Sequence, residues 1–366
     1  MIPEILGINI IENDCIGDEF MYKVLVVDDS AFMRQLIKSI LENTGKFVVT
    51  VAQTPLIALD KVRKFKFDII TIDYEMPYMN GVELIKKIKE ITDTKILMIS
   101  AYTRPGAYTT FEALSAGAFD YILKPSSEEE LEDFKYELIR KLTAVCEECK
   151  KEDTSKNYNL PAASEDKILL EENVIERVRL AKVIGIGIST GGPPVLEKMF
   201  KALKKDFPIP ILVVQHMPPN FTKPFATRLA ALTSKCIKEV TDNEEIKGSC
   251  IYIAKGGYHL AVEEMNGKLY TRVLDLEKIK SHKPSADILF SSIAEACGKA
   301  SVGIVMTGMG SDGSDGILEM RKKGALTIAQ DEKSCVVFGM PKAAIEKGAI
   351  ELVLSPDQIV DLLNRV

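Results

Sequence analysis

The chain alternates short apolar runs with amphipathic segments, and it does so in both of its halves. The runs of the first half are KVLVVDD, FVVTVAQ, DIITIDY, KILMISA and FDYILKP. Those of the second half are AKVIGIGIS, IPILVVQHM, IYIAKGG, ASVGIVMTGMG and GALTIAQ. Strands joined by helices in this order favour parallel sheets with helices on both faces. We therefore predict an α/β fold with two doubly wound parallel-sheet domains.

A segment rich in charged residues, serine, asparagine and proline separates the two halves. Its composition is typical of a linker with some helical character near its ends. We divide the chain into an N-terminal extension, a first domain, a linker and a second domain, with bounds 1–20, 21–145, 146–179 and 180–366. Met21 directly precedes the first predicted strand, so the sequence leaves open whether translation starts at Met1 or at Met21.

Composition and charge exclude several classes of function. The net charge is −6 and no cluster of lysine and arginine stands out, which argues against nucleic acid as a partner. No apolar stretch approaches the roughly 20 residues of a membrane span, and the first residues lack the positive charge of a secretory signal. We expect a cytoplasmic protein without membrane insertion. The seven scattered cysteines fit reduced thiols, and the CEEC pair Cys146 and Cys149 fits a charged helix.

Acidic residues follow predicted strands of the first half. Asp28 and Asp29 end the first strand, Asp73 ends the third, and Lys124 ends the fifth. The carboxyl ends of parallel strands meet at one edge of the sheet, so these side chains should cluster. Clustered carboxylates repel one another unless a hard cation such as Mg²⁺ joins them. The pattern predicts a magnesium site beside a lysine, suited to phosphate chemistry on a carboxylate.

These residues resemble the receiver domain of two-component response regulators, through DDS at 28–30, IDYEMPYMNG at 72–81 and LKP at 123–125. The resemblance implies a flavodoxin-like domain in which Asp73 accepts a phosphoryl group from a histidine kinase. It further implies three groups of residues: Mg²⁺ ligands at Asp28, Asp29, Asp73 and the main-chain carbonyl of Glu75, phosphoryl contacts at Ser100 and Lys124, and a switch aromatic at Tyr121. For Tyr121 simple packing is the alternative.

The run VIGIGISTGGPP ends an apolar strand at Ser189. A phosphate-binding loop is disfavoured because the glycine spacing does not match GxGxxG and no GK[ST] follows. Capping of the next helix by Ser189 or Thr190 is one open interpretation. A nucleophilic serine is another, because His216 and Asp312 follow two further strands and could supply a base and an orienting acid at the same sheet edge. The following glycines and free N–H groups could then hold an oxyanion.

Other candidates for these roles remain. Asp315 lies three residues after Asp312, and spacing alone does not exclude it as the acid. His259 alternates with apolar residues, which favours packing or a place at the rim. His282 lies on a polar loop, where substrate contact and plain solvent exposure both fit. The order serine, histidine, aspartate and the absence of a GxSxG motif argue against an ordinary lipase or esterase.

The second half resembles the chemotaxis methylesterase family, CheB, through GISTGGP, VVQHMPPNFT, YIAKGGYHL, HKPSADILF, VMTGMGSDG and TIAQDEKSCVVFGMP. The resemblance implies a Rossmann-like domain with Ser189 as nucleophile, His216 as base and Asp312 as orienting acid, and no cofactor in that site. It also implies oxyanion or substrate contacts at Thr190, Gly191 and Met309.

Together the two resemblances imply a hydrolase, recruited to chemoreceptor clusters, that demethylates receptor glutamates through an acyl-enzyme and releases methanol. Deamidation of receptor glutamines is a further activity that the sequence leaves open. The receiver is expected to cover the edge that carries Ser189 until Asp73 is phosphorylated. A receiver with a partner-binding second half is the rival class, disfavoured because all three triad residue types are present. A DNA-binding regulator would need a basic helix-turn-helix, which is not found.

Overall fold

A computed structural model describes residues 21–100, 104–153 and 172–366 of the chain. The N-terminal extension and residues 154–171 of the predicted linker lie outside the described residues. The strands of the first domain are β1 (Tyr22–Val27), β2 (Phe47–Ala52), β3 (Ile69–Asp73), β4 (Lys95–Ser100) and β5 (Asp120–Leu123). Its helices are α1 (Ala31–Glu42), α2 (Pro55–Lys64), α3 (Gly81–Lys89), α4 (Arg104–Ala116) and α5 (Glu128–Asp153).

The first domain forms one parallel sheet in the order β2-β1-β3-β4-β5. The five predicted strands are confirmed, and so is the doubly wound α/β class. Because the strand order reverses at β1, the ends of β1 and β3 flank the crevice in which such sheets bind their ligands. Asp28 follows β1 and Asp73 ends β3, so the predicted acidic pocket lies at this crevice.

Helices extend into both ends of the predicted linker. α5 continues past residue 145 to Asp153, and α6 (Glu172–Arg179) forms inside the predicted linker. α6 packs against the second domain, where its Arg177 donates to Glu351 at 2.5 Å and 3.2 Å. Residues 172–179 therefore belong to the second domain by their contacts.

The second domain is a larger α/β layer structure. Its strands are β6 (Val183–Ile188), β7 (Ile211–Gln215), β8 (Cys236–Glu239), β9 (Cys250–Ile253), β10 (His259–Met265), β11 (Lys268–Leu274), β12 (Ser301–Val305), β13 (Leu326–Gln330) and β14 (Leu352–Leu354). Besides α6, its helices are α7 (Gly192–Ala202), α8 (Thr222–Thr233), α9 (Ala286–Cys297), α10 (Ser314–Lys322), α11 (Met340–Glu346) and α12 (Pro356–Leu363).

Seven strands of this domain form a parallel sheet in the order β14-β13-β12-β6-β7-β9-β8. The five predicted strands are all present, and β10 and β11 form a separate antiparallel hairpin. The strand order reverses at β6, which lies between β12 and β7. The residues that follow these three strands therefore meet at one crevice, and they include Ser189, His216 and Asp312.

Two glycines of β6 let α9 approach the sheet closely. A Cβ atom added at Gly187 would lie 2.7 Å from the Cβ of Ala286 and 3.1 Å from the ring of Phe290. At Gly185 it would meet the side chain of Ile293 at 2.7 Å. This close packing brings the first turn of α9 to the sheet edge, where Ser189 ends the same strand.

We expect Gly187→Ala to lower the free energy of unfolding by about 1–3 kcal/mol, because the added methyl group overpacks the contact with α9. Urea unfolding followed by circular dichroism measures the change. Combining it with Ala286→Gly removes the nearest contact and should restore part of the loss. Equal unfolding midpoints for wild type and Gly187→Ala would contradict this packing.

The two domains pack against each other through aromatic side chains. Phe111 of α4 lies on Phe225 of α8 with ring centroids 5.2 Å apart. Tyr121 of β5 stacks on Phe221, just before α8, at 5.2 Å with an interplanar angle of 15°. Beside them Ser115 donates to Glu197 at 3.0 Å and accepts from Arg228 at 2.6 Å. The first domain thus meets the second domain through α4 and β5.

The cysteines follow the expectation only in part. β8 and β9 run side by side in a register that pairs Cys236 with Cys250, and the two form a disulfide with Cα atoms 4.8 Å apart. The expectation of reduced thiols is therefore wrong for this pair, because strand register brings together residues that are distant in sequence. Cys146 is a free thiol, and both Cys146 and Cys149 lie on α5, the predicted charged helix. Within the described ranges, no helix combines the length and apolar character that a membrane crossing requires.

Candidate active site

Ser189 lies at the end of β6, where a tight turn leads into α7. Its N–H donates to the carbonyl of Thr307 at 2.9 Å, and its carbonyl accepts from Gly192 at 2.8 Å. Gly191 takes a φ of +77°, and a Cβ there would lie 2.5 Å from the side chain of Val336. Glycine is therefore required for this turn, which holds the serine at the crevice.

The turn leaves two main-chain donors without a partner. Among the described hydrogen bonds, none uses the N–H of Thr190 or of Gly191. Pro193 and Pro194 follow and carry no N–H. Unpaired N–H groups beside a serine are suited to holding an oxyanion. This arrangement is compatible with the oxyanion role predicted for Thr190 and Gly191, and the turn has no side-chain cap on α7 from Ser189.

His216 follows β7 and bonds directly to Asp312. The distance from Nε2 of His216 to Oδ2 of Asp312 is 2.8 Å. A carboxylate in this position selects the tautomer in which Nε2 carries the proton. Nδ1 is then the basic nitrogen, and it is buried without a hydrogen-bond partner among the described residues. The pair has the geometry of a base oriented by an acid.

Asp312 is held at the start of α9. Its carboxylate accepts from Ser285 Oγ at 2.6 Å and from the N–H of Ala286 at 2.6 Å. Burial by itself would raise the pKa of Asp312. The hydrogen bonds from His216, Ser285 and Ala286 outweigh burial and hold this pKa well below its usual range. Asp312 therefore stays ionised and can stabilise a protonated His216.

Asp315 and His259, another acid and another histidine that the sequence offered, bond to residues other than His216. Asp315 bonds to Lys280 at 2.6 Å and to Lys347, and it does not contact His216. His259 is buried, accepting from the N–H of Ser285 at 3.1 Å and bonding through Nε2 to the carbonyl of Glu277 at 2.9 Å. The expectation of a packed His259 is confirmed.

The contact between Ser189 and His216 is looser than that between His216 and Asp312. No described hydrogen bond joins Ser189 Oγ to His216. The two residues follow neighbouring strands paired at Ile188 and Gln215, and both line one cleft. Catalytic hydrogen bonds are often long before substrate binds, so this geometry is compatible with a nucleophilic serine.

The cleft has a volume of about 540 Å³ and is walled by both domains. The second domain contributes Ser189, Thr190 and His216 together with the loop 278–284. The receiver contributes β5 and the face of α5 with Glu130, Asp133, Phe134, Glu137, Arg140 and Lys141. Met309 does not line this cleft. With Val336 and Val337 it packs against a buried cluster of the receiver.

His282 lies flat on His216, a feature that the sequence did not reveal. The ring centroids are 3.9 Å apart and the planes differ by 9°. Burial lowers the pKa of His282 to about 3, and the neighbouring His216 adds to this effect. Arg140 and Lys278 lower the pKa further, while Asp312 opposes them. His282 is thus a neutral ring against the base rather than a solvent-exposed residue.

The predicted phosphorylation site is assembled at the edge of the first sheet. Carboxylate oxygens of Asp28, Asp29 and Asp73 lie within 4.8 Å of one another. Nζ of Lys124 lies 2.8 Å from Asp73 and 3.2 Å from Asp28. Burial raises the pKa of Asp73 to about 6, although the bond from Lys124 lowers it. The site combines several carboxylates with one cation.

The two predicted switch residues, Ser100 and Tyr121, lie on β4 and β5. Ser100 ends β4, is buried, and accepts a hydrogen bond from Thr110 of α4 at 2.8 Å. Tyr121 lies on β5, where its ring both stacks on Phe221 and lines the cleft. The side chain of Glu75 is exposed, so only its main chain is suited to the predicted ligand role.

Fold and site together define a two-domain response regulator with an α/β output domain. The family model for the response regulator receiver domain matches residues 24–134, and the model for CheB methylesterase matches residues 184–363. A protein-glutamate methylesterase/protein-glutamine glutaminase of Sulfurimonas denitrificans is 40% identical over 90% of this chain and 94% of its own. The chain therefore belongs to the CheB methylesterase family of hydrolases.

A second curated relative agrees with this assignment. A protein-glutamate methylesterase/protein-glutamine glutaminase of Thermotoga maritima is 37% identical over 93% of this chain and 98% of its own. The crystal structure of the CheB methylesterase catalytic domain from Thermotoga maritima is 41% identical and covers 51% of this chain and 99% of that one, with a TM-score of 0.49.

The two neighbouring aspartates allow a matched test of the site. We expect Asp312→Asn to lower kcat for methyl ester hydrolysis on the order of 10⁴-fold, because the amide no longer selects the reactive tautomer of His216. Asp315→Asn should leave kcat within about 2-fold, since surface substitutions away from the site have small effects. Steady-state methanol release measures both variants. Equal losses in the two would contradict the assignment of Asp312.

His282 predicts a dependence of stability on pH. Its folded-state pKa of about 3 lies below the ordinary value of 6.5, so between these values the unfolded chain binds a proton that the folded chain does not. Stability should therefore fall as the pH drops through this window, by up to about 1.4 kcal/mol per pH unit. Urea unfolding at pH 4.5 to 7.5 should show a flatter profile for His282→Gln.

His282→Phe is the control, because it keeps a stacked ring that cannot bind a proton. It should show the same flattened profile as His282→Gln. Parallel profiles for wild type and both variants would contradict a depressed pKa at His282.

Proposed function

We propose that this chain is a phosphorylation-regulated protein-glutamate methylesterase that hydrolyses glutamate methyl esters on chemoreceptors. The observation that carries the proposal is the bond of 2.8 Å between His216 and Asp312, with Ser189 in the same cleft. The other ring nitrogen of His216 has no hydrogen-bond partner among the described residues. The relatives named as protein-glutamate methylesterases support the substrate class. Recruitment to receptor clusters is part of the same proposal.

In the proposed reaction Ser189 Oγ attacks the γ-carbonyl carbon of the methyl ester while Nδ1 of His216 takes the serine proton. Asp312 stabilises the imidazolium that forms. The N–H groups of Thr190 and Gly191 hold the oxyanion. Collapse of this intermediate breaks the bond to the methoxy group, which leaves as methanol with the proton from His216. Water then attacks the acyl-enzyme with His216 again as base, giving the glutamate and free Ser189.

The same acyl-enzyme can arise from a glutamine side chain. In that case the leaving group is ammonia, protonated by His216, and hydrolysis again yields glutamate. The double name of the relatives, which includes protein-glutamine glutaminase, supports this second activity. We include deamidation of receptor glutamines in the proposal.

The receiver pocket is proposed to accept a phosphoryl group on Asp73 from a chemotaxis histidine kinase. Three carboxylates within 4.8 Å of one another, with oxygen donors only, fit Mg²⁺. Asp28, Asp29 and Asp73 would hold the ion together with the main-chain carbonyl of Glu75. When bound it supplies positive charge that offsets repulsion between the carboxylates and the phosphoryl donor. Lys124 adds a fixed cation for the phosphoryl oxygens.

Regulation is proposed to act through the packing of the receiver over the cleft. β5 and α5 form one wall of the cleft that holds Ser189. Tyr121 links this wall to Phe221 of the second domain. Phosphorylation of Asp73 would change the contacts of Ser100 and Lys124 and favour an arrangement in which this packing is looser. The phosphoryl group then shifts a closed-to-open equilibrium by its preference for the open state.

The proposal is tested by methanol release from methylated chemoreceptor membranes, with and without a small-molecule phosphodonor. Ser189→Ala should abolish release, and Asp73→Asn should keep a low basal release that the phosphodonor does not raise. If intact, phosphorylated protein releases no methanol from a cognate receptor, the esterase proposal fails and a receiver-controlled binding module replaces it.

A substitution at the domain interface tests the closed state by itself. Ser115→Arg places a cation beside Arg228, so like-charge repulsion should loosen the receiver from the second domain. We expect unphosphorylated activity to rise several-fold and the further gain from phosphodonor to shrink. The control is Ser39→Arg, which alters an exposed serine on α1. Unchanged basal activity in Ser115→Arg would count against gating through this interface.

A further inference from the structure

Gln215 is a buried polar side chain at the end of β7, immediately before His216. It is only 3% exposed and lines the cleft. Its Nε2 lies 3.0 Å from the carbonyl oxygen of Ser189 and 3.2 Å from that of His216. Two carbonyl oxygens can be joined only by the NH₂ end of an amide, so the orientation of the side chain is determined. Gln215 therefore bonds to the main chain of both Ser189 and His216.

These bonds lie where the regular pairing of the two strands stops. The ladder between β6 and β7 ends with Ile188 opposite Gln215, and one more bond runs from the N–H of His216 to the carbonyl of Ile188 at 3.1 Å. Beyond that point, among the described hydrogen bonds, only the Gln215 amide joins the segment of Ser189 to that of His216. The Gln215 side chain is thus the described hydrogen-bond link between the two segments beyond the ladder.

The other end of the amide indicates that this arrangement has a cost in stability. Oε1 of Gln215 is buried and has no hydrogen-bond partner in the described part of the chain. It faces the first turn of α7, where a Cβ added at Gly192 would lie 2.2 Å from it. An unpaired buried acceptor is unfavourable, and such violations concentrate at functional sites. A side chain at position 192 would displace the amide.

Gln330 offers a comparison within the same sheet. It ends β13 as Gln215 ends β7, and it is fully buried. Its Oε1 accepts from the N–H of Thr307 at 2.8 Å, and its Nε2 donates to the carbonyl of Ser334 at 2.9 Å. Both ends of this amide are paired, as expected of a residue that stabilises local structure. Gln330 does not contact the main chain of Ser189 or His216.

We propose that Gln215 is a positioning residue of the hydrolase site, which sets the distance between the serine nucleophile and its histidine base by bonding to the carbonyl oxygens of both. It acts through the main chain and does not contact substrate. The inference rests on the proposed roles of Ser189 and His216. A shift of about 1 Å between reacting groups can cost on the order of 10²-fold in rate, so loss of the amide should lower turnover more than binding.

The substitution Gln215→Met tests this role. Methionine fills a similar volume and removes the unpaired Oε1, so the melting temperature should stay within a few degrees of wild type. In full-length protein activated by phosphodonor, kcat for methanol release should fall about 10-fold to 100-fold with KM within about 2-fold. Gln330→Met leaves the Thr307 N–H unpaired and acts on Ser189 only indirectly, through the carbonyl of Thr307. It should therefore show the opposite ranking, with the larger loss in melting temperature and the smaller loss in kcat.

A second readout separates this inference from the proposed activity. The rate at which a small fluorophosphonate labels Ser189 depends on activation of the serine and needs no receptor. Labelling of Gln215→Met should slow in proportion to its loss in kcat. The positioning role is wrong if Gln215→Met reacts with the fluorophosphonate and releases methanol as fast as wild type. It is also wrong if the variant loses activity only in proportion to its folded fraction. If the fluorophosphonate labels wild-type Ser189 but the protein releases no methanol, the esterase proposal fails. The labelling rates of wild type and Gln215→Met then still decide the role of Gln215.

Discussion

The parallel alignment of β12, β6 and β7 is the constraint on which the site depends. Because the three strands run in the same direction, the segments after them leave the sheet at one edge, and a serine, a histidine and an aspartate distant in sequence come together there. The glycines of β6 admit α9 so closely that its first turn reaches this edge and holds Asp312. The charge of Asp312 in turn orients His216. The sheet, the helix and the geometry of the candidate site are thus linked by a few main-chain contacts.

The receiver uses the same principle for a different chemistry. Its acidic pocket lies at the edge of its own parallel sheet, and β5 and α5 connect this pocket to the cleft of the second domain. Tyr121 connects the acidic pocket with the second domain. Its strand, β5, leads directly to Lys124 of the pocket, and its ring stacks on Phe221 of the second domain. An interface of modest aromatic and polar contacts is suited to a switch, because a small difference in free energy can then change the populations of closed and open states.

Much of the fold and part of the site could be predicted from sequence, since apolar runs and the residues that follow them are local features. The hairpin of β10 and β11 was missed, although its Asn266-Gly267 turn is a known hairpin signal. Spacing could not decide between Asp312 and Asp315, because the decision comes from the first turn of α9, which is remote in sequence. The stacking of His282 and the pairing of Cys236 with Cys250 likewise depend on tertiary contacts.

The central claim is that the receiver restricts access to Ser189 until Asp73 is phosphorylated. The most direct measurement is the rate at which a fluorophosphonate bearing a bulky fluorophore labels Ser189, in wild type and in Asp73→Asn, with and without phosphodonor. We expect the phosphodonor to speed labelling several-fold in wild type and to leave the labelling rate of Asp73→Asn unchanged. Equal rates under all four conditions would contradict it.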